Sequence, residues 1–329
     1  MSERDNNFIP VARAYDDVTE ETMPLYVEES TDSLKIDVYY GNSGSYSDLE
    51  RSLRDDNNIP VAAAYNEDTS EYESCRADEY LRVDLTTLEN EYAVQTNGTN
   101  EYFRTGSKAG GYRSSIMTVG GWFSTTQSGT RTLMSKFQSF PTRLSWHALL
   151  INGILEVKFA QNQAGSVNKT YRSVSTYNSG QYVQWFSTIN CSTNVMKLYV
   201  NGVELTGASL NKVSDTNLSG ISNTTTFFSI CARNNFSSNF QAFLGGLSDE
   251  NMIWLGDELS SAQIVELYGS GVPVDPRKTT AGTPSHWYRM GDIAVVNGNT
   301  TLVDQGTVGV NLVGVGINVA TDFVTDVPN

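Results

Sequence analysis

The stretch Val195-Met-Lys-Leu-Tyr-Val-Asn-Gly-Val-Glu-Leu205 decides how this chain is read. Met196, Leu198 and Val200 alternate with Lys197, Tyr199 and Asn201, the period of a strand with one buried face. Asn201-Gly202 then turns the chain, and Val203-Glu-Leu205 starts back. Asn-Gly between apolar runs is the strongest short-range hairpin signal, because both turn positions need positive φ. The same grammar occurs upstream in Leu149-Leu-Ile-Asn-Gly-Ile-Leu-Glu-Val-Lys-Phe159. Two such hairpins, each beside a further strand run, predict an antiparallel β domain with the rest of the chain wrapped around it.

Strand runs lie on both sides of these hairpins: Tyr92–Phe103, Ser115–Phe123, Leu133–Lys136, Leu144–Ile151, Tyr182–Ile189, Thr226–Ala232 and Ala242–Glu250. Turn signals at this spacing predict a sandwich over residues 86–275. One helix is expected at Ser261–Tyr268, with Ser260 and Gln263 as a capping box and Gly269 as its stop. Ile264, Leu267 and Tyr268 would form its buried stripe. Residues 276–329 are expected to add strands that close the sandwich.

Composition narrows the function classes. Charged residues are 18% of the 329, while 39% are hydrophobic, enough for a sizeable core. Residues 1–90 carry 22 of the 37 acids and 7 of the 22 bases, so the whole net charge of −15 sits there and residues 91–329 are neutral. That division predicts two parts with different jobs and argues against nucleic acid as a partner of either. No run approaches the ~18–20 apolar residues of a membrane span, so no membrane insertion is expected. The polar start, Met-Ser-Glu-Arg-Asp-Asn-Asn, is not a secretory segment, and Cys75, Cys191 and Cys231 are expected reduced rather than bridged. On the same grounds the Asn-X-Ser/Thr triplets read as Asn-rich turns rather than glycan sites.

The acidic part is an internal repeat. Arg4-Asp-Asn-Asn-Phe-Ile-Pro-Val-Ala-Arg-Ala-Tyr15 returns fifty positions later as Arg54-Asp-Asp-Asn-Asn-Ile-Pro-Val-Ala-Ala-Ala-Tyr65. Each copy, about 4–38 and 54–85, reads as strand, acidic loop, strand, ending in Leu34–Val38 and Leu81–Leu85. Such a unit cannot bury a core alone. It is either a disordered acidic arm or an extended anchor whose strands pair with a second body.

This repeat resembles the Arg-Asp-x-Asn-x-Ile/Val-Pro-Val units that open many tailed-phage virion proteins ahead of a distal β domain. The matching positions are Arg4, Asp5, Ile9, Pro10 and Val11, and Arg54, Asp55, Ile59, Pro60 and Val61. Residues 86–275 in turn resemble the concanavalin A-like jelly roll of the laminin-G type. Its opening FDGxxDY strand is matched by Asn97-Gly98 with Tyr102, and its "aWv" strand by Gly121-Trp122-Phe123. Trp185 with Lys197–Gly202, Gly246–Glu250 with Trp254, and the Leu259–Tyr268 helix follow in family order. The two resemblances together imply a virion-surface structural protein. It would be a capsid decoration, head-fibre or tail-fibre component, made in the host cytoplasm, that displays a lectin-like domain to host-surface glycan. Residues 1–85 would join it to other virion proteins, and unpartnered repeat strands suggest a homo-oligomer such as a trimer. A ligand-free cementing protein is the alternative, and a capsule-degrading glycoside hydrolase the third reading.

Candidate chemistry is sparse. His147 and His286 lie in no metal spacing, and no Gly-x-Ser-x-Gly, P-loop or Cys-x-x-Cys is present. Glycoside hydrolysis needs two carboxylates ~5–10 Å apart. Glu156 and Glu204 are isolated, and the adjacent Asp249-Glu250 would point to opposite faces of a strand. No enzyme is therefore expected. No cofactor is expected beyond a structural Ca²⁺ that the laminin-G resemblance implies, with Asn97 and Asp249 as ligands; the neutral Asn97 weakens that site, and Asp249 could equally cap a turn. For sugar, Trp146 and the Arg233-Asn234-Asn235 loop are the candidates, Trp146 as an exposed stacking ring or else as core.

Overall fold

In the computed structural model both Asn-Gly turns form. Asn201 and Gly202 have φ of +49° and +76°, and Asn152 and Gly153 of +52° and +83°. The strands they join are Val195–Val200 with Val203–Glu204, and Arg143–Ile151 with Ile154–Ala160. The structure describes residues 90–328, except 109–110, 141–142, 237–238 and 291–299, together with four N-terminal strands. Contacts divide the chain into two units, Met1–Val83 and Asp84–Asn329.

The second unit is an antiparallel sandwich. Its eight-stranded sheet runs 203–204, 195–200, 183–190, 116–124, 245–255, 93–97 and 323–324, with 286–288 also paired to 245–255. The longer, eleven-stranded sheet runs 210–215, 168–176, 154–160, 143–151, 130–140, 228–230, 102–105, 312–315 and 301–302. The short strands 233–236 and 239–241 are attached to it beside 130–140. The one parallel pairing is Asn234 with Gln138 and Phe236 with Phe140. C-terminal strands thus join both sheets, 312–315 beside 102–105 and 323–324 beside 93–97.

Between the sheets lies the main core. Met117, Val119, Phe123, Trp185, Ile189, Leu198 and Val200 from the short sheet meet Trp146, Ala148, Leu150, Leu155, Val157 and Phe159 from the long one. Burying each large side chain contributes about 1.5–3 kcal/mol. The back of the short sheet is apolar too: Phe186, Tyr199, Met252, Trp254 and Trp287 are covered by Leu259, Ile264 and Leu267. Gly120 permits this packing, because a Cβ there would lie 2.0 Å from the Phe186 ring.

The helix Ser261–Tyr268 provides part of that cover, with Ser260 Oγ accepting from the Gln263 N–H and Gly269 left-handed at φ +54°. Ile264 and Leu267 are buried as the sequence predicts. Cys191 and Cys231 are free and buried, and burial pushes the Cys231 thiol up to about 12. No helix among the described residues is long and apolar enough to cross a membrane.

In the first unit each repeat forms a hairpin, Ile9–Asp16 with Glu21–Val27 and Ala63–Asn66 with Glu71–Ser74. Asp16 pairs Glu21 and Asn66 pairs Glu71, so the hairpins close at positions fifty apart, the period of the repeat. The strand-like segments expected at 34–38 and 81–85 lie outside the described residues. Met23, Leu25 and Val27 alternate along the second strand of the first hairpin. Ile9, Pro10 and Val11 lie in the first strand of their hairpin. Arg4, Asp5, Arg54, Asp55, Ile59, Pro60 and Val61 lie outside the described residues.

Candidate functional site

The two-residue turn at Asn152-Gly153 fixes what the outer face of the long sheet displays. It pairs Leu149 with Glu156 and His147 with Lys158, while Trp146 faces Phe159. Side chains alternate across a strand, so Trp146 and Phe159 go to the core and His147, Glu156 and Lys158 to the outside. The next strand places Arg172 opposite Glu156.

These side chains form a charged network. His147 Nε2 lies 3.2 Å from Glu156 Oε1, and Arg172 Nε donates to Glu156 Oε2 at 2.5 Å. His147 is 6% exposed and Glu156 5%, whereas the Arg172 side chain is 36% exposed. Burial depresses the His147 pKa, so the ring is neutral at neutral pH and its Nε2–H donates a hydrogen bond to Glu156. Burial opposes ionisation of Glu156, but the hydrogen bonds from His147 and Arg172 and the Arg172 charge outweigh it and hold the carboxyl down to about 2.

Arg233 enters from the 233–236 strand. Its guanidinium carbon sits 5.4 Å from the Phe137 ring centre, and Phe137 meets His147 edge-on at 5.8 Å. Charge couples Arg233 and Lys158 to both His147 and Glu156. The Arg233 guanidinium has no hydrogen-bond partner among the described residues, and neither does His147 Nδ1. One carboxylate therefore faces three cations, Arg172, Arg233 and Lys158, in a unit with no net charge from residue 91 onward.

A concavity of about 430 Å³ opens elsewhere, where Asn97, Gln127, Thr125, Ser124 and Gly245 meet. Its polar groups are largely used up in building it. Gln127 Oε1 accepts from the Gly245 N–H, Thr125 Oγ1 donates to Gly245 O, and Ser124 Oγ donates to Gly180 O. This cleft lies at the ends of the strands 93–97, 116–124 and 245–255, whereas the outer face of the long sheet keeps donors to spare.

Several sequence expectations are corrected here. Trp146 is 0% exposed, with Nε1 donating to Tyr112 O at 2.6 Å, so it is core and not a stacking ring. Asn234 is also 0% exposed, in the parallel pairing, and Asn235 accepts from Ser139 Oγ. Of that loop only Arg233 reaches the face. The Ca²⁺ ligands are not brought together either. Asn97 pairs with Gly245, four residues or about 13 Å along the strand from Asp249. Asn97 is occupied by Thr99, Asn100 and Glu101 within its own turn. Asp249 is fully buried and accepts from Asn90 and from the Glu250 N–H. This donor set does not fit Ca²⁺, and the described residues contain no group of three His, Cys, Asp or Glu able to hold a metal.

The carboxylates singled out for hydrolysis are likewise apart. Glu156 is on the long sheet, while Glu204, on the short sheet, contacts Lys197 and Ser261. Asp249 and Glu250 do not alternate across a strand as expected, because the register shifts there and Glu250 has φ +45°. Glu250 accepts from Trp287 Nε1 at 2.5 Å and from Arg289 in the interior.

Several solved structures are similar to this chain in architecture. A putative carbohydrate-binding protein from Bacteroides ovatus aligns over 74% of this chain and 62% of its own, with 17% identity and a TM-score of 0.50. This chain thus spans under two thirds of that protein. A heptameric SAP-like pentraxin from Limulus polyphemus aligns over 54% of this chain and 82% of its own, with 16% identity and a TM-score of 0.42. The CBM40 of a Ruminococcus gnavus sialidase, solved with α2,3-sialyllactose, aligns over 54% and 96% at 14% identity and a TM-score of 0.40. No family model and no curated protein matches the sequence. The fold is a lectin-like jelly roll.

Proposed function

We propose that this chain is a tailed-phage virion-surface protein whose sandwich binds glycan on the host surface. Residues 1–85 attach it to capsid or tail subunits, as a capsid decoration, head-fibre or tail-fibre component. The observation that carries the binding half is the outer face of the long sheet, where Arg233 and Arg172 keep donors that the fold does not use. Support for the fold-level half comes from the Bacteroides ovatus protein, described as a putative carbohydrate-binding protein. The attachment half rests on the duplicated Arg-Asp…Ile-Pro-Val units, on their equivalent hairpins and on the −15 charge confined to residues 1–90. Acidic strands of this kind suit a basic groove on a symmetric assembly, and a homo-oligomer, with a trimer as the state to test, gives them partners.

A ligand-free cementing role is favoured by one observation. The exposed large hydrophobic side chains among the described residues are valines and Tyr92, so no broad aromatic platform is on display. A cryo-EM map of the particle, compared with one made with residues 1–85 deleted, separates these readings. Ordered repeats against shell or tail subunits, an outward sandwich and loss of the truncated protein from particles are the expected result. Incorporation of the truncated protein, with the sandwich gripping the shell, overturns the attachment reading in favour of cement.

A further inference from the structure

The glycan reading leaves the class of sugar open, and the outer face of the long sheet narrows it. Neutral pyranoses are commonly held by stacking on open aromatic rings. Here the ring nearest the site, Phe137, is 9% exposed and lies beneath Arg233. What the face offers instead is charge. Arg172 spends Nε and Nη2 on Glu156 while its side chain stays 36% exposed. The Arg233 guanidinium donates to nothing among the described residues, and its Nε is out of water. Lys158, half-buried beside His147, has its charge disfavoured by burial, with Glu156 as the compensating anion. A cation set with one carboxylate and a neutral histidine is under-compensated, and an arriving oxyanion repairs both the charge and the missing hydrogen bonds.

We propose that Arg172, Arg233 and Lys158 bind the anionic group of an acidic sugar, a carboxylate or a sulfate. Glu156 and His147 act as positioning residues, holding Arg172 and setting the tautomer beside Arg233. This rests on the glycan-binding reading and adds the ligand's charge to it.

The test uses the full chain and three polymers: polygalacturonate for the carboxylate, dextran sulfate for the sulfate and dextran as the neutral case. Binding is measured at low and at physiological ionic strength, with Arg172→Gln, Arg233→Gln and Lys158→Gln, and with Lys212→Gln on the edge strand as a control for non-specific attraction. The expected result is binding of one acidic polymer and not of dextran. Each of the three variants should weaken it about tenfold or more with the fold retained, while Lys212→Gln has no effect. Which acidic polymer binds identifies the anion. Equal binding of dextran, or binding unchanged in the three variants, overturns the acidic-sugar inference and leaves the lectin reading standing. A loss with Lys212→Gln equal to the others shows diffuse polyanion attraction and overturns the site. Failure of all three polymers and of a neutral glycan array overturns both readings.

Discussion

The two sheets of the sandwich share one core and differ in what lies on their backs. Behind the short sheet, Phe186, Met252, Trp254 and Trp287 are sealed by Leu259 and the helix Ser261–Tyr268. Behind the long sheet, the strands 143–151, 154–160 and 168–176 carry His147, Glu156, Lys158 and Arg172. An apolar back must be covered, and the cover closes it to ligands. A back built from ion pairs needs no such lid, so chemistry can be placed on it. Stability is concentrated behind one sheet, and the proposed recognition face lies behind the other.

That contrast breaks most visibly at Trp254. Trp254→Ala should cost about 3–5 kcal/mol, read as a fall in the denaturant midpoint, without altering ligand contacts. Glu156→Gln should cost less, about 2–3 kcal/mol, because it loosens Arg172 and His147 without opening the core; the same denaturant titration at neutral pH measures it.

Acid sharpens the same point. The folded pKa of Glu156, about 2, lies below its ordinary 4.5, so its stabilisation is complete above 4.5 and is lost as pH falls through about 2. His147 is also depressed below its ordinary 6.5. Its contribution is complete above 6.5 and is lost as pH falls through the lower folded value. Stability measured against pH should therefore fall in two stages on acidification. His147→Gln should remove the upper stage and Glu156→Gln the lower.

Smaller effects complete the series. Arg172→Gln leaves the buried Glu156 carboxylate to His147 alone and should cost about 1–2 kcal/mol, well below the effect of Trp254→Ala. If instead Arg172→Gln destabilised as much as Trp254→Ala, the long sheet's back would be structural and the contrast would fail. Ser260→Ala removes the helix cap and should cost about 1 kcal/mol, visible as a modest fall in melting temperature.

Local signals carried the fold. Asn201-Gly202 and Asn152-Gly153 predicted their hairpins, and Ser260 with Gln263 and Gly269 marked the helix ends, because each depends on neighbours close in sequence. The proposed binding face was only half legible. A two-residue turn already implies that Trp146 pairs with Phe159 and His147 with Lys158, so the apolar pair belonged inside. Arg172 could not be placed that way, because its opposition to Glu156 follows from a longer connection that contains a register shift. Arg233 comes back to Phe137 from a distant strand with unusual parallel pairing, which no local pattern encodes. The Ca²⁺ expectation failed for a related reason: motif order says nothing about the four residues separating Gly245, the partner of Asn97, from Asp249.

The most direct test of the central claim is a structure of the full chain soaked with an acidic oligosaccharide. The account predicts the sugar's anionic group within hydrogen-bonding distance of Arg172 and Arg233 on the outer face of the long sheet. Sugar seated instead in the cleft between Asn97 and Gln127, with that face bare, would contradict it.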